Sequence, residues 1–164
     1  MPMTTPPACE SFLRDEYPRL VGFLRLQFGV DAEDIAQDAV VKLIDRWDRL
    51  DTDQPPRAWL YTVALRDGYR LGRRLRRLTG ALPLLAPQSD TADVAEAAAA
   101  TLDTRRVLAA LPERQRAAVV LRYYCDLPAA VAAQVLGTTD EAVRALCHRA
   151  VVALRRTDLD PVDL

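Results

Sequence analysis

Between Ile35 and Trp47 the apolar residues Ile35, Ala36, Ala39, Val40, Leu43, Ile44 and Trp47 follow one another at alternating intervals of one and three. That spacing draws one apolar stripe along a helix of 3.6 residues per turn and cannot line one face of a strand, whose period is two. The positions between them, including Asp34, Gln37, Asp38, Lys42, Asp45 and Asp48, are polar, so the helix has a wet face and a buried one. Other stretches carry apolar residues at helical intervals: Phe12, Leu13, Leu20, Val21, Leu24 and Phe28 before it, Trp59, Leu60, Val63 and Ala64 after it, and Ala117, Val120, Leu121 and Tyr124 far downstream. The expected fold class is all-α. Half of the 164 residues are apolar, enough to close a core. No apolar run approaches the roughly 18–20 residues of a membrane span. Met1 to Glu10 lacks a basic segment followed by an apolar one. A cytoplasmic protein without membrane insertion is therefore expected.

Punctuation divides these helices into two units. Pro18 is expected to break or kink the first helix, and Gly29 to end it. Asp31 is placed to cap the second, with Glu33 and Asp34 beside its positive N-terminal end. Pro55 and Pro56 suit the first turn of a third helix, about residues 56–77. Residues 79–103 hold Pro83, Pro87, Ser89 and many small residues but no basic group, and read as a flexible linker whose Ala-rich later part, Val94 to Leu102, has helical composition. The expected organisation is two small helical domains, residues 8–78 and 104–157, joined by residues 79–103. In the second, Glu113 to Tyr124 forms a helix, Pro128 opens a short one to Leu136, and Gly137 closes that. Thr138 and Glu141 then offer a capping box for a final helix to about Arg156.

A formal charge of −1 hides strong segregation. Residues 54–77 carry seven basic groups and one acid, and residues 105–156 carry nine and four, whereas residues 1–53 and 78–104 are net acidic. Two basic blocks on one short chain offer two places to hold a polyanion. Of the 22 basic residues, 21 are Arg, the planar, permanently charged fork suited to phosphate. The cysteines, Cys9, Cys125 and Cys147, are odd in number and form no CxxC, which argues against a disulfide framework. Cys125, Cys147 and His148 supply only three ligand types at a spacing that fits no familiar zinc pattern, so no metal is expected. No Gly-rich phosphate loop or nucleophile elbow is present, which argues against an enzyme or a cofactor.

Ala129 to Arg149 fits a helix-turn-helix: small Ala133 where the helices approach, Gly137 in the turn, Val143 and Leu146 pointing back to the core. The second helix of such a motif presents its N-terminal half to the major groove. Asp140, Glu141, Arg144, Ala145, His148 and Arg149 would face outward. A packed helical hairpin with no ligand is the alternative for this segment. A free-standing regulator of this type usually dimerises, and no dimerisation helix is evident.

Leu111-Pro-Glu-Arg-Gln-Arg-Ala-Ala-Val-Val-Leu-Arg-Tyr-Tyr124 followed by the helix-turn-helix resembles region 4 of the bacterial extracytoplasmic-function sigma factors. Ala32-Glu-Asp-Ile-Ala-Gln-Asp38, Trp47 and Pro56-Arg-Ala-Trp-Leu-Tyr61 resemble region 2 of the same family, in the right order. The resemblance covers about residues 10–77 and 105–156 and is closest to the short actinobacterial members. It implies a non-enzymatic factor that binds core RNA polymerase, directs it to promoter DNA and helps open the duplex. An anti-sigma factor is a further candidate partner.

By this resemblance Asp34, Gln37 and Asp38 would meet the clamp helices of the polymerase β′ subunit. Asp51, Gln54, Arg57, Tyr61, Arg66, Tyr69, Arg70, Arg73 and Arg74 would meet the −10 element. There the mixture of cations and aromatic rings at helical spacing suits a single strand. Thr139, Arg144, His148 and Arg149 would meet the −35 element. The chain departs from the family pattern at Arg66 and Arg70, in the all-apolar Ala129 to Ala133, and in Ala142, Ala145 and Leu146. Asp140 and Glu141 suit a helix N-terminus but repel duplex phosphate. These departures carry the second reading: a sigma-like regulator that works mainly through protein contacts with polymerase or another regulator and reads the −35 element weakly or not at all.

Overall fold

The computed structural model describes residues 5–29, 31–50, 53–80, 103–157, 161 and 164. Most of the expected linker, with Val94 to Leu102 and the domain boundary, lies outside the described residues, as does Asp51.

Helix α1 runs Pro7–Phe28 and α2 Ala32–Arg46, followed by a 3₁₀ turn Trp47–Arg49; α3 spans Pro56–Thr79. Residues 103–109 form a short helix, α4. Helix α5, Glu113–Val119, continues into a π-helical turn, Val120–Tyr124. The helix-turn-helix is α6, Ala129–Leu136, and α7, Asp140–Arg155. Among the described residues there is no strand. No helix among them is long and apolar enough to cross a membrane.

The α2 stripe packs as its spacing requires. Ile35, Ala36, Ala39 and Leu43 are buried, and α1, α2 and α3 pack on one another around Leu20, Phe23, Leu24, Leu60 and Ala64. Fully buried alanines at 36, 39, 58 and 64 let these helices come close. Gly68 of α3 goes further: a Cβ there would stand 2.1 Å from the Phe28 ring. In the second unit α5 and α6 both pack on α7, with Ala117 and Ala118 of α5, Ala132 and Leu136 of α6, and Val143, Cys147 and Ala150 of α7 buried in the shared core. Truncating any of the fully buried leucines to Ala is expected to cost about 2–5 kcal/mol.

The two helical units are present, and their cores are joined. The buried residues of both form one continuous cluster, with α3 against α6 and α1 against the 120–124 turn. No local spacing in the sequence signals this docking.

Three local expectations need correction. Pro18 sits inside α1 without breaking it, so of the expected break or kink the break is excluded. It lies on the exposed face, where water can serve the carbonyl it leaves free, and buried Glu16 and Leu20 anchor the turns on either side. Asp31 occupies the cap position of α2, but at φ 54° and with no side-chain capping bond. The α7 cap is Thr139, whose hydroxyl accepts from the Ala142 amide at 3.2 Å, and not Thr138. The Thr138 amide is already used by Ala133 O at 3.0 Å, closing α6 around Gly137 at φ 60°. This Schellman-type closure claims Thr138 for the helix behind it.

Candidate nucleic-acid interface

Helix α3 places Arg66, Arg70, Arg73, Arg74 and Arg77 in solvent. Asp67 is the one acid among them. Its carboxylate is held by Lys42 of α2 at 2.5 Å, with Arg70 and Arg66 further away at 3.8 and 4.0 Å. Arg73, Arg74 and Arg77 have no ion pair among the described residues. The row is thus a track of largely uncompensated guanidiniums, the kind of surface that holds a phosphate backbone. Arg66, Tyr69, Arg73 and Arg76 also line one wall of a cleft of about 570 Å³, whose opposite wall includes Arg114 and Leu136.

Other residues assigned to this surface face elsewhere. Tyr61 is fully buried, its ring edge-on to Phe23 at 5.3 Å and its hydroxyl donating to Glu16 at 2.8 Å. Burial pushes its hydroxyl far above the usual tyrosine range, with Cys125 and Glu16 adding to the effect. It has no face for a base to stack on, which corrects the stacking role expected for it. Arg57 is largely internal too. Its Nε lies 2.9 Å from Glu16 Oε2 as an ion pair, and its Nη2 donates to Glu16 Oε1 at 3.0 Å and to Cys125 O at 2.9 Å. Nothing near Arg57 in sequence signals this, because Glu16 belongs to α1. The Cys125 thiol beneath is pushed up to about 12, chiefly by burial.

Tyr69 is intermediate. It packs edge-on against Phe28 at 5.2 Å and its hydroxyl accepts from Gln27 Nε2 at 3.2 Å. Burial raises its pKa, and Glu113 from the second unit adds to that. Gln54 is half-buried in the loop before α3.

Helix α7 buries Val143, Cys147, Ala150 and Leu154 and turns Glu141, Arg144, His148 and Arg149 outward; Thr139 at its start is exposed. Ala145 and Leu146 are half-buried, so the outward-facing residues agree with the expected groove face apart from Ala145 and Asp140, both only partly exposed. The exposed face of α2 carries Asp34, Gln37 and Asp38 together with Val41, which is 58% exposed. Val41 was overlooked because Val40 beside it continues the apolar stripe. A large exposed apolar residue one turn beyond Gln37 and Asp38 adds a contact point to a charged face.

Sequence reasoning also missed Arg116, which is buried and spends its guanidinium on four carbonyls: Gln27 O at 2.7 Å, Leu108 O at 2.9 Å, Leu111 O at 3.1 Å and Ala109 O at 3.4 Å. Burial lowers its pKa, opposed by Glu113. Its only signal was its place inside the apolar rhythm of Ala117 and Val120. Among the described residues no group of three His, Cys, Asp or Glu is placed to hold a metal ion, and Cys9, Cys125 and Cys147 are free thiols in buried positions.

The exposed arginine row of α3 and the open outer face of α7 are two surfaces of the kind that hold nucleic acid. Comparison with known proteins agrees. Residues 12–79 match the family Sigma-70 region 2 and residues 101–154 match Sigma-70, region 4. The ECF RNA polymerase sigma factor SigL of Mycobacterium tuberculosis is 32% identical over 152 residues, covering 88% of this chain and 86% of that protein. The RNA polymerase sigma-E factor of Streptomyces avermitilis is 32% identical over 138 residues, covering 82% of this chain and 74% of that protein. Among solved structures, the sigma factor RpoE in complex with the anti-sigma factor NepR from Bartonella quintana superposes with a TM-score of 0.73 at 22% identity, covering 90% of this chain and 94% of that one. CnrH in complex with the cytosolic domain of CnrY gives 0.72 at 22% identity, covering 92% and 86%. The chain belongs to the extracytoplasmic-function sigma factors of the sigma-70 family.

Proposed function

We propose that this chain acts in the cytoplasm as a polymerase subunit, with no catalytic step of its own, and divides promoter recognition between its two units. Arg66, Arg70, Arg73 and Arg74 of α3 hold the single strand of the −10 element, with Gln54 at the loop that precedes them. Thr139, Arg144, His148 and Arg149 of α7 meet the −35 duplex. Asp34, Gln37 and Asp38, with Val41, contact core polymerase; an acidic face around an apolar anchor suits a basic partner helix. The exposed, largely unpaired α3 arginine row carries this reading. A helix-turn-helix regulator binding duplex alone would have no use for such a row on a different unit.

Run-off transcription with purified core polymerase on genomic DNA, followed by start-site mapping, tests it. Defined starts that depend on the chain are expected, and their absence overturns the reading. Replacing Asp34 and Asp38 by Lys is expected to reduce retention of core polymerase in a pull-down. Full retention would remove that contact from the proposal.

A further inference from the structure

We propose that the cleft between α3 and the start of α5 is a binding site for a nucleoside polyphosphate, and that a nucleotide seated there competes with a single strand for Arg66 and Arg73. The competition, though not the site, rests on reading α3 as the −10 surface.

The cleft holds about 570 Å³ and is lined by residues of both units, within the roughly 300–1,000 Å³ of small-molecule sites. Four arginines line it, Arg66, Arg73, Arg76 and Arg114, against the single acid Glu113. Arg66, Arg73 and Arg76 recur at intervals of seven and three, which places them along one face of α3. They spread over about 15 Å at 1.5 Å per residue. Glu113 pairs with Arg76 at 3.5 Å. Asp67 is 4.0 Å from Arg66 but is held more closely by Lys42. Arg73 has no ion pair among the described residues. Arg114, on the other wall, donates from Nη2 to Leu136 O at 3.2 Å. That bond holds the guanidinium at the end of α6 and leaves its other N–H groups to give.

The rest of the lining exceeds what a bare anion needs. Leu65, Val135 and Leu136, each nearly buried, bring apolar surface, and Tyr69 adds an aromatic ring. The Thr62 hydroxyl donates to Ala58 O at 2.6 Å, so its oxygen is left as an acceptor. Guanidinium forks recognise phosphate oxygens in pairs. Apolar and aromatic surface with a hydroxyl acceptor suits a flat heterocycle bearing N–H groups. The ligand that carries both is a nucleotide with a polyphosphate chain. An open arginine row would serve a long strand equally well; the second wall is what fits this place to a small ligand.

Isothermal titration calorimetry on the full chain, in magnesium-free buffer without DNA or polymerase, tests the site. GTP and ATP are expected to bind with micromolar dissociation constants. Tripolyphosphate has the charge but no base and is expected to bind at least about tenfold more weakly, the loss of one base contact. Arg114→Ala is expected to weaken GTP about tenfold, as for a charge-assisted hydrogen bond. Arg77→Ala, exposed on α3 but outside the cleft, is expected to stay within about twofold of wild type. If circular dichroism shows Arg114→Ala to be unfolded, Arg114→Lys, which keeps the charge and loses the fork, serves for the same comparison. GTP is also expected to displace a fluorescein-labelled oligothymidylate from the wild type. Tripolyphosphate as tight as GTP, equal losses in the Arg77 and Arg114 variants, or oligothymidylate that stays bound at saturating GTP would each overturn the proposal. The calorimetry involves no promoter. A chain that binds GTP and is silent in run-off transcription therefore sinks the proposed function and leaves the site standing, and an active chain that ignores GTP does the reverse.

Discussion

Helix α3 exposes Arg66, Arg70, Arg73, Arg74 and Arg77 around the one acid Asp67, which Lys42 engages. Helix α7 exposes Arg144, His148 and Arg149 behind Asp140 and Glu141 at its N-terminal end. The first surface is rich in charge, with its aromatic residues buried or half covered. The second has few cations and lies open along its outer face. Electrostatic attraction to phosphate is strong, salt-dependent and blind to sequence, whereas discrimination comes from groups reaching base edges. On the proposed function, affinity would rest chiefly on α3 and a weaker, orienting contact on α7.

The largest effect is expected where the two units dock through Arg116 and Gln27. Arg116→Met removes the donor shared by four carbonyls and should destabilise the chain by about 3–5 kcal/mol in a denaturant titration. A loss under 1 kcal/mol would mean that the docked units do not depend on it. Next, Arg73→Ala with Arg74→Ala should weaken promoter-complex formation about tenfold or more. It should also flatten the slope of log affinity against log salt by about 1.4, given roughly 0.7 per phosphate contact on a single strand. An unchanged slope across a salt titration removes α3 from the nucleic-acid surface. Arg144→Ala should cost less, about fivefold, and its effect should vanish on a template whose −35 duplex is deleted; an equal loss on both templates would erase the division of labour between the helices. The smallest change sharpens the α7 geometry. Thr139→Ala should lose about 1 kcal/mol of stability and Thr138→Ala much less, and the reverse order in thermal melts would return the cap to Thr138.

The helices, the helix-turn-helix and the exposed face of α2 were legible because each depends on residues within one or two turns. The Ile35 to Trp47 stripe needs only the helical period, and Gly137 needs only a turn with positive φ. The break considered at Pro18 did not occur for the same reason, since a local rule sees the missing amide but not the buried neighbours that keep the helix whole. The Thr138 error was a register slip of one, because two adjacent threonines offer the same hydroxyl and only the Ala133 carbonyl decides between them. Arg57 and Tyr61 were misassigned for a different reason. Their partner Glu16 lies 41 and 45 residues away, and no spacing rule connects an α1 carboxylate with an α3 arginine.

By itself the amino-acid order determined that the chain is helical, that its positive charge gathers in two blocks, and that one of them carries a helix-turn-helix. These follow from periodicity, backbone preference and composition, which act over a few residues. The tertiary structure decided which arginines remain available. Arg57, Arg73 and Arg116 carry the same group, yet one holds Glu16 and the Cys125 carbonyl, one stands in water, and one is sunk among carbonyls. A guanidinium's role is set by which oxygen atoms come within about 3 Å of it, and in this chain distant helices, docked across two units, bring those oxygens there.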